Sequence, residues 1–83
     1  MQKVRVLLFG AAADKAGTRE LELPAGEGAT TLGELWASLS RRHPGLSSMR
    51  GSLAFAVNGE YASDEDPVRP GDEVAVLPPV SGG

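Results

Sequence analysis

The chain has 83 residues, a formal net charge of −3 and no cysteine. That length builds one small domain and buries roughly 60–65% of the unfolded surface, which leaves little room for a preformed substrate cavity and disfavours a free-standing small-molecule enzyme. The lack of cysteine excludes disulfides, thiolate nucleophiles and cysteine-held zinc or iron–sulfur centres, while the acidic balance argues against a nucleic-acid surface, which would need clustered Lys and Arg.

The segment Lys3 to Phe9 alternates, so Val4, Val6 and Leu8 share one face of a predicted strand while Arg5, Leu7 and Phe9 share the other. Gly10 to Gly17 carries enough alanine for one or two helical turns, a short connector. Thr18 to Leu23 alternates again, with Leu21 and Leu23 opposite Glu20 and Glu22; Pro24, Gly26 and Gly28 then break the run. Thr31 and Glu34 have capping-box spacing ahead of Leu32, Leu35, Trp36 and Leu39, which predicts the main helix. It ends near His43, because Pro44 disfavours helical geometry in the residue before it, and Arg41 and Arg42 suit the negative end of the helix dipole.

Leu53 to Val57 reads as a third strand, and Asn58-Gly59 signals a two-residue type I′ hairpin into Glu60, Tyr61 and Ala62. Ser63 to Asp66 is an acidic loop. Pro70-Gly71 fits the centre of a type II turn that launches the last strand, Asp72 to Leu77. The whole is an α+β layer: one sheet of about five strands with one main helix across one face. If Val4, Val6, Leu8, Val74 and Val76 face the helix, then Leu7, Phe9, Ala75 and Leu77 face away, and half of these strands present apolar surface outward. Contiguous exposed apolar surface marks a protein interface, and Phe9, Leu77 and Tyr61 form the candidate docking patch unless the Gly10 to Gly17 connector or a loop covers it.

Other chemistry-bearing patterns are weak. His43 is the sole histidine and suits a capping role; Asp64, Glu65 and Asp66 lack the EF-hand arrangement; Gly26-Glu27-Gly28 lacks the Walker lysine. No metal site is expected. No apolar run is long enough to span a bilayer, and strand alternation replaces a signal-peptide core at the N-terminus, so no membrane contact and a cytoplasmic location are expected.

After Leu77 the chain reads Pro78-Pro79-Val80-Ser81-Gly82-Gly83. Two prolines end a sheet ladder and favour an extended arm, and two glycines leave the last peptide units without a Cβ. Six residues reach at most ~20 Å, deep enough to bring the Gly83 carboxylate into another protein's active site. The alternative is an idle terminus.

Residues Asp72 to Gly83, together with Asn58-Gly59 and Pro70-Gly71-Asp72, closely resemble the small subunits of molybdopterin synthase, which are ubiquitin-like sulfur carriers. The signature is a Gly-Asp-Glu-Val turn and strand, an aliphatic or aromatic pair, Pro-Pro-Val, a small hydroxyl residue and Gly-Gly, and every element is present. The resemblance implies a β-grasp domain over residues 1–77 and an extended tail over 78–83. It implies that a ubiquitin-activating-type adenylyltransferase adenylates Gly83 with ATP and that a sulfur donor converts the activated glycine to a thiocarboxylate. The chain itself then binds no cofactor. The tail enters the catalytic pocket of the large synthase subunit, in a complex of two small and two large subunits, and sulfur passes to cyclic pyranopterin monophosphate. Carried over onto this sequence, Gly83 is the acceptor, Gly82 and Ser81 give clearance, and Phe9, Tyr61, Leu77, Pro78, Pro79 and Val80 meet the partners. Sibling carriers for thiamine, tRNA thiolation or cysteine synthesis, a protein modifier joined through Gly83, and a non-covalent binding module share parts of this pattern.

Overall fold

In the computed structural model, residues 3–24 and 30–78 are described. The expectations placed on Gly26, Gly28, Pro79, Val80, Ser81, Gly82 and Gly83 lie outside the described residues. Alternation makes β1 from Lys3–Leu8, and Gly10, with φ of 57°, turns the chain into α1, Gly10–Ala16. Gly17 closes that helix in the left-handed conformation, its N–H donating to the Ala13 carbonyl. β2, Glu20–Pro24, returns antiparallel to β1 with Leu23 opposite Val4 and Leu21 opposite Val6. The strand thus starts two residues later than the alternation suggests and takes in Pro24, which lies on the outer edge where no ladder donor is needed.

α2, Leu32–Arg42, begins with the expected capping box: Glu34 N–H donates to Thr31 Oγ1, and Thr31 N–H donates to Glu34 Oε1, both at 3.2 Å. Two further contacts tie its first turn to the acidic loop, Leu32 N–H to the Asp66 carbonyl at 2.9 Å and Gly33 N–H to the Asp64 carbonyl at 3.0 Å. Asp64 also pairs with Arg50, so the acidic loop is fixed on both sides. Immediately before the helix, β3, Thr30–Thr31, pairs with a second short strand, Pro67–Val68, a two-stranded ribbon that sequence patterning does not reveal.

His43 caps α2 with its N–H on the Leu39 carbonyl, as the sequence suggests, and a 3₁₀ helix then runs over Pro44–Ser52. That helix is not apparent from the sequence, yet it supplies Leu46, which is wholly buried. The remaining strands of the main sheet are Ala54–Val57, Glu60–Ala62 and Glu73–Leu77; numbering in chain order makes them β4, β5 and β7, with Pro67–Val68 as β6. Asn58 and Gly59 have φ of 52° and 87°, the signs a type I′ turn demands. Asp72 N–H donates to the Arg69 carbonyl across Pro70-Gly71, where Gly71 has φ of 91° as a type II turn requires.

The main sheet has the order β2-β1-β7-β4-β5, antiparallel except that β1 and β7 run parallel at its centre. Its inner face presents Val4, Val6, Leu8, Leu23, Phe55, Val74 and Val76 to Leu32, Leu35 and Leu39 of α2, to Leu46 and to Ala12 of α1. The expected single helical layer is therefore shared by three helical pieces. Trp36 meets Phe55 edge-on at 5.2 Å, and the Arg50 guanidinium lies 4.5 Å from the Phe55 ring centre on its way to Asp64. Leu39→Ala empties a fully buried site and is expected to cost about 2–5 kcal/mol, a large share of the roughly 4–12 kcal/mol that a domain this size holds. Urea denaturation with an unchanged slope and a lowered midpoint is the check.

Two hydrogen-bonded carboxylates make folding acid-sensitive. Glu34 sits below its ordinary value of 4.5 because the Thr31 N–H and then the Thr30 and Thr31 hydroxyls bond its charged form. Asp72 sits below 3.8 because the Arg69 N–H, and then the Asn58 amide, do the same. A lowered folded-state pKa means the unfolded chain takes up the proton first. Stability is therefore full above roughly pH 5 and falls as pH drops through the folded-state values. The Glu34→Gln/Asp72→Asn variant is expected to show a smaller shift of its urea midpoint between about pH 7 and about pH 3 than the parent.

Candidate functional site

The outer face of the sheet is graded from charge to apolar surface along the strands. At the end where β7 begins, Arg5 bonds Glu20 at 2.5 Å and approaches Glu73 at 3.6 Å, while Lys3 approaches Glu22 at 3.6 Å. The Glu20 hydrogen bond, and secondarily its charge, push the Arg5 pKa further up, so its guanidinium stays charged. One register step toward the end of β7, the row across the sheet is Leu7, Ala75, Ala56 and Tyr61, with Glu20 at its β2 edge. The next row holds Leu77 opposite Ala54. Phe9 N–H bonds the Val76 carbonyl at 3.1 Å, which carries the parallel register onward and sets Phe9 beside Leu77.

Three alanines thus form the floor of this face, with Leu7, Phe9 and Leu77 at one side and Tyr61 at the other. Phe9 is 44% exposed and Tyr61 77% exposed. Leu77 is only half-buried, flanked by neighbours on both adjoining strands, so it stands less clear of the surface than alternation alone suggests. The Gly10 to Gly17 connector does not cover the face, since α1 buries Ala12 in the core on the opposite side. Ala75 faces outward as alternation predicts, whereas Ala54 and Ala56 are not apparent as members of the site from the sequence, although their small size at outward positions of paired strands is the signal that identifies them. Pro78, half-buried, is the last described residue and continues directly from the patch.

Other sequence candidates stay apart from this face. Asp64 and Asp66 serve the loop described above, and His43 the end of α2. Among the described residues no group of three or more His, Cys, Asp or Glu is arranged to hold a metal ion, and no helix is long and apolar enough to cross a membrane.

A mixed five-stranded sheet wrapped on one side by a helix, with parallel first and last strands at its centre, is the β-grasp, ubiquitin-like architecture. The chain belongs to the ThiS family, whose model matches residues 6–83. It is 39% identical to the human molybdopterin synthase sulfur carrier subunit, the match covering 98% of this chain and 94% of that protein. Among solved structures it resembles small archaeal modifier protein 1 of Haloferax volcanii at 30% identity and a TM-score of 0.84, over 96% of this chain and all of that one. It also resembles a chain in the complex of subunits 1 and 2 of the Helicobacter pylori molybdopterin-converting factor, at 30% identity and a TM-score of 0.68, over 98% and 99% of the two chains.

Proposed function

We propose that this protein is the sulfur-carrier small subunit of a molybdopterin synthase and is loaded as a thiocarboxylate on Gly83. The observation that carries this reading is continuity: the apolar outer face runs directly into Pro78, and Pro78 opens the segment that ends in Gly82-Gly83. The relatives named above support the same role. In the chemistry that follows, a Gly83 carboxylate oxygen attacks the α-phosphorus of ATP in an adenylyltransferase of the ubiquitin-activating type, and pyrophosphate leaves. A sulfur donor then displaces AMP from the acyl carbon. The thiocarboxylate presents a soft nucleophilic sulfur, whereas the carboxylate it replaces is a poor acyl donor until adenylated.

Phe9, Tyr61 and Leu77 dock the carrier on each partner, with Pro78, Pro79 and Val80 directing the tail. Gly82 and Ser81 keep its end slender enough for the catalytic pocket, which belongs to the large subunit. Two carriers and two large subunits make up the working synthase, and cyclic pyranopterin monophosphate accepts the sulfur. ATP and the sulfur donor act through the activating enzyme, and this chain holds no cofactor of its own. The likeness to an archaeal modifier favours a second reading, conjugation of Gly83 to lysines of other proteins.

Intact-mass measurement of the carrier purified from its native cells, with fragmentation to the C-terminus, separates the two. Replacement of one oxygen by sulfur at Gly83 is expected. An isopeptide adduct at Gly83 without any thiocarboxylate supports the modifier reading, and an unmodified carboxylate after incubation with activating enzyme, ATP and sulfur donor overturns the proposal.

A further inference from the structure

Gly10, the first residue of α1, follows Phe9 just past the end of β1, and Pro78 follows Leu77 just past the end of β7. The two meet: a Cβ built on Gly10 would fall 3.2 Å from Pro78 Cβ and 3.3 Å from its Cγ. Such spacing is tighter than ordinary van der Waals contact between carbons, so a side chain at position 10 requires the proline ring to give by a few tenths of an ångström for its first carbon alone. Gly10 also has φ of 57°, a conformation glycine adopts freely and most other residues do not. A glycine here therefore serves two ends at once, turning the chain into α1 and letting Pro78 lie directly on that turn.

We infer that Gly10 is a positioning residue for the tail: its missing side chain seats Pro78 and so fixes the direction in which the chain leaves the sheet toward Gly83. The contact joins the residue after Phe9 to the residue after Leu77, so the docking face and the direction of the tail are held in one register. This inference rests on the sulfur-carrier reading only for its consequence in catalysis. A tail that leaves at the wrong angle docks normally but presents Gly83 away from the reacting groups, and misplacement of about 1 Å costs on the order of 10²-fold in rate.

The test compares Gly10→Asn with the parent, each with and without Pro78→Gly, which removes both the Cβ and the Cγ that a side chain at position 10 would meet. Asparagine tolerates the left-handed backbone, so the substitution adds bulk with little backbone strain, and Gly10→Ala adds a single methyl in case the asparagine variant fails to fold. The chain has no cysteine, so Ser81→Cys gives one site for a nitroxide label in every variant. Its relaxation effect on the amides of β1, α1 and β4 reports where the tail points without any need for sulfur chemistry. Gly10→Asn is expected to change that pattern when Pro78 is present and to leave it unchanged in the Pro78→Gly background. In unlabelled protein the same substitution is expected to lower the kcat of Gly83 loading roughly tenfold or more with KM changed less than about twofold.

An unchanged relaxation pattern, or an equal change in both backgrounds, overturns the inference, as does a redirected tail that loads at the parent rate. Failure of the unsubstituted parent to load, with activating enzyme, ATP and sulfur donor supplied, overturns the sulfur-carrier reading instead, and the relaxation pattern alone then decides the role of Gly10.

Discussion

A carrier lengthened by one alanine beyond Gly83 is expected to lose thiocarboxylate formation by at least about 100-fold while unfolding at the same urea concentration as the parent. One residue moves the carboxylate by about 3.3 Å and puts a methyl group where Gly83 had only hydrogen. Adenylation needs a carboxylate oxygen in line with the α-phosphorus, and that displacement exceeds what such a reaction tolerates. Stability is unaffected because the addition lies seven residues beyond Leu77, the last residue of β7. Intact mass after incubation with activating enzyme, ATP and sulfur donor reads the loading, and urea denaturation reads the fold. Undiminished loading in the lengthened carrier would exclude Gly83 as the position that carries sulfur.

Leu77→Asp is expected to weaken binding to the large subunit by roughly 30-fold or more, about 2 kcal/mol, measured by titration calorimetry. Leu77 stands opposite Ala54 and beside Phe9 on the outer face, so an aspartate places a charge at the centre of a surface that docking would strip of water. The half-buried position means the variant also loses some stability, about 1 kcal/mol. Leu77→Ala separates the two effects, since it removes the apolar contact without adding a charge. A cooperative urea transition with parental slope and strongly weakened binding is the expected result for both variants. Loss of cooperative unfolding in the alanine variant would show instead that Leu77 belongs to the core.

Local signals in the sequence reached much of this structure because the corresponding elements are locally determined. Alternation in Lys3 to Phe9 assigns faces correctly, the Thr31 and Glu34 pair starts the helix where its hydrogen bonds form, and Asn58-Gly59 and Pro70-Gly71 make the turns their backbone freedom permits. What escaped has physical causes. The Pro44–Ser52 helix places Leu46 and Met49 three residues apart against the core, a period that a two-residue sample cannot distinguish from chance. The pairing of β3 with β6 involves two residues on each side, too few to alternate.

Sites behave in the same way. The outward direction of Phe9 follows from its own strand, whereas the half-burial of Leu77 depends on strands that lie beside it only in the folded sheet. The contact between Gly10 and Pro78 spans most of the chain and leaves no mark in either local stretch. Family likeness supplied the β-grasp topology, since nothing in periodicity dictates that β1 and β7 pair in parallel.

That parallel pairing has a bearing on how the protein is made. Of the strands in this sheet β7 is the last in chain order and yet takes the middle place, bonded to β1 on one side and β4 on the other. Until it arrives, the strands already synthesised remain two separated halves with the apolar centre between them open. A chain cut short before residue 73 cannot assemble the outer face at all, because Ala75 and Leu77 belong to the missing strand. A truncated copy is therefore expected to lack, together with the glycine end, the surface that would let it compete with the complete carrier.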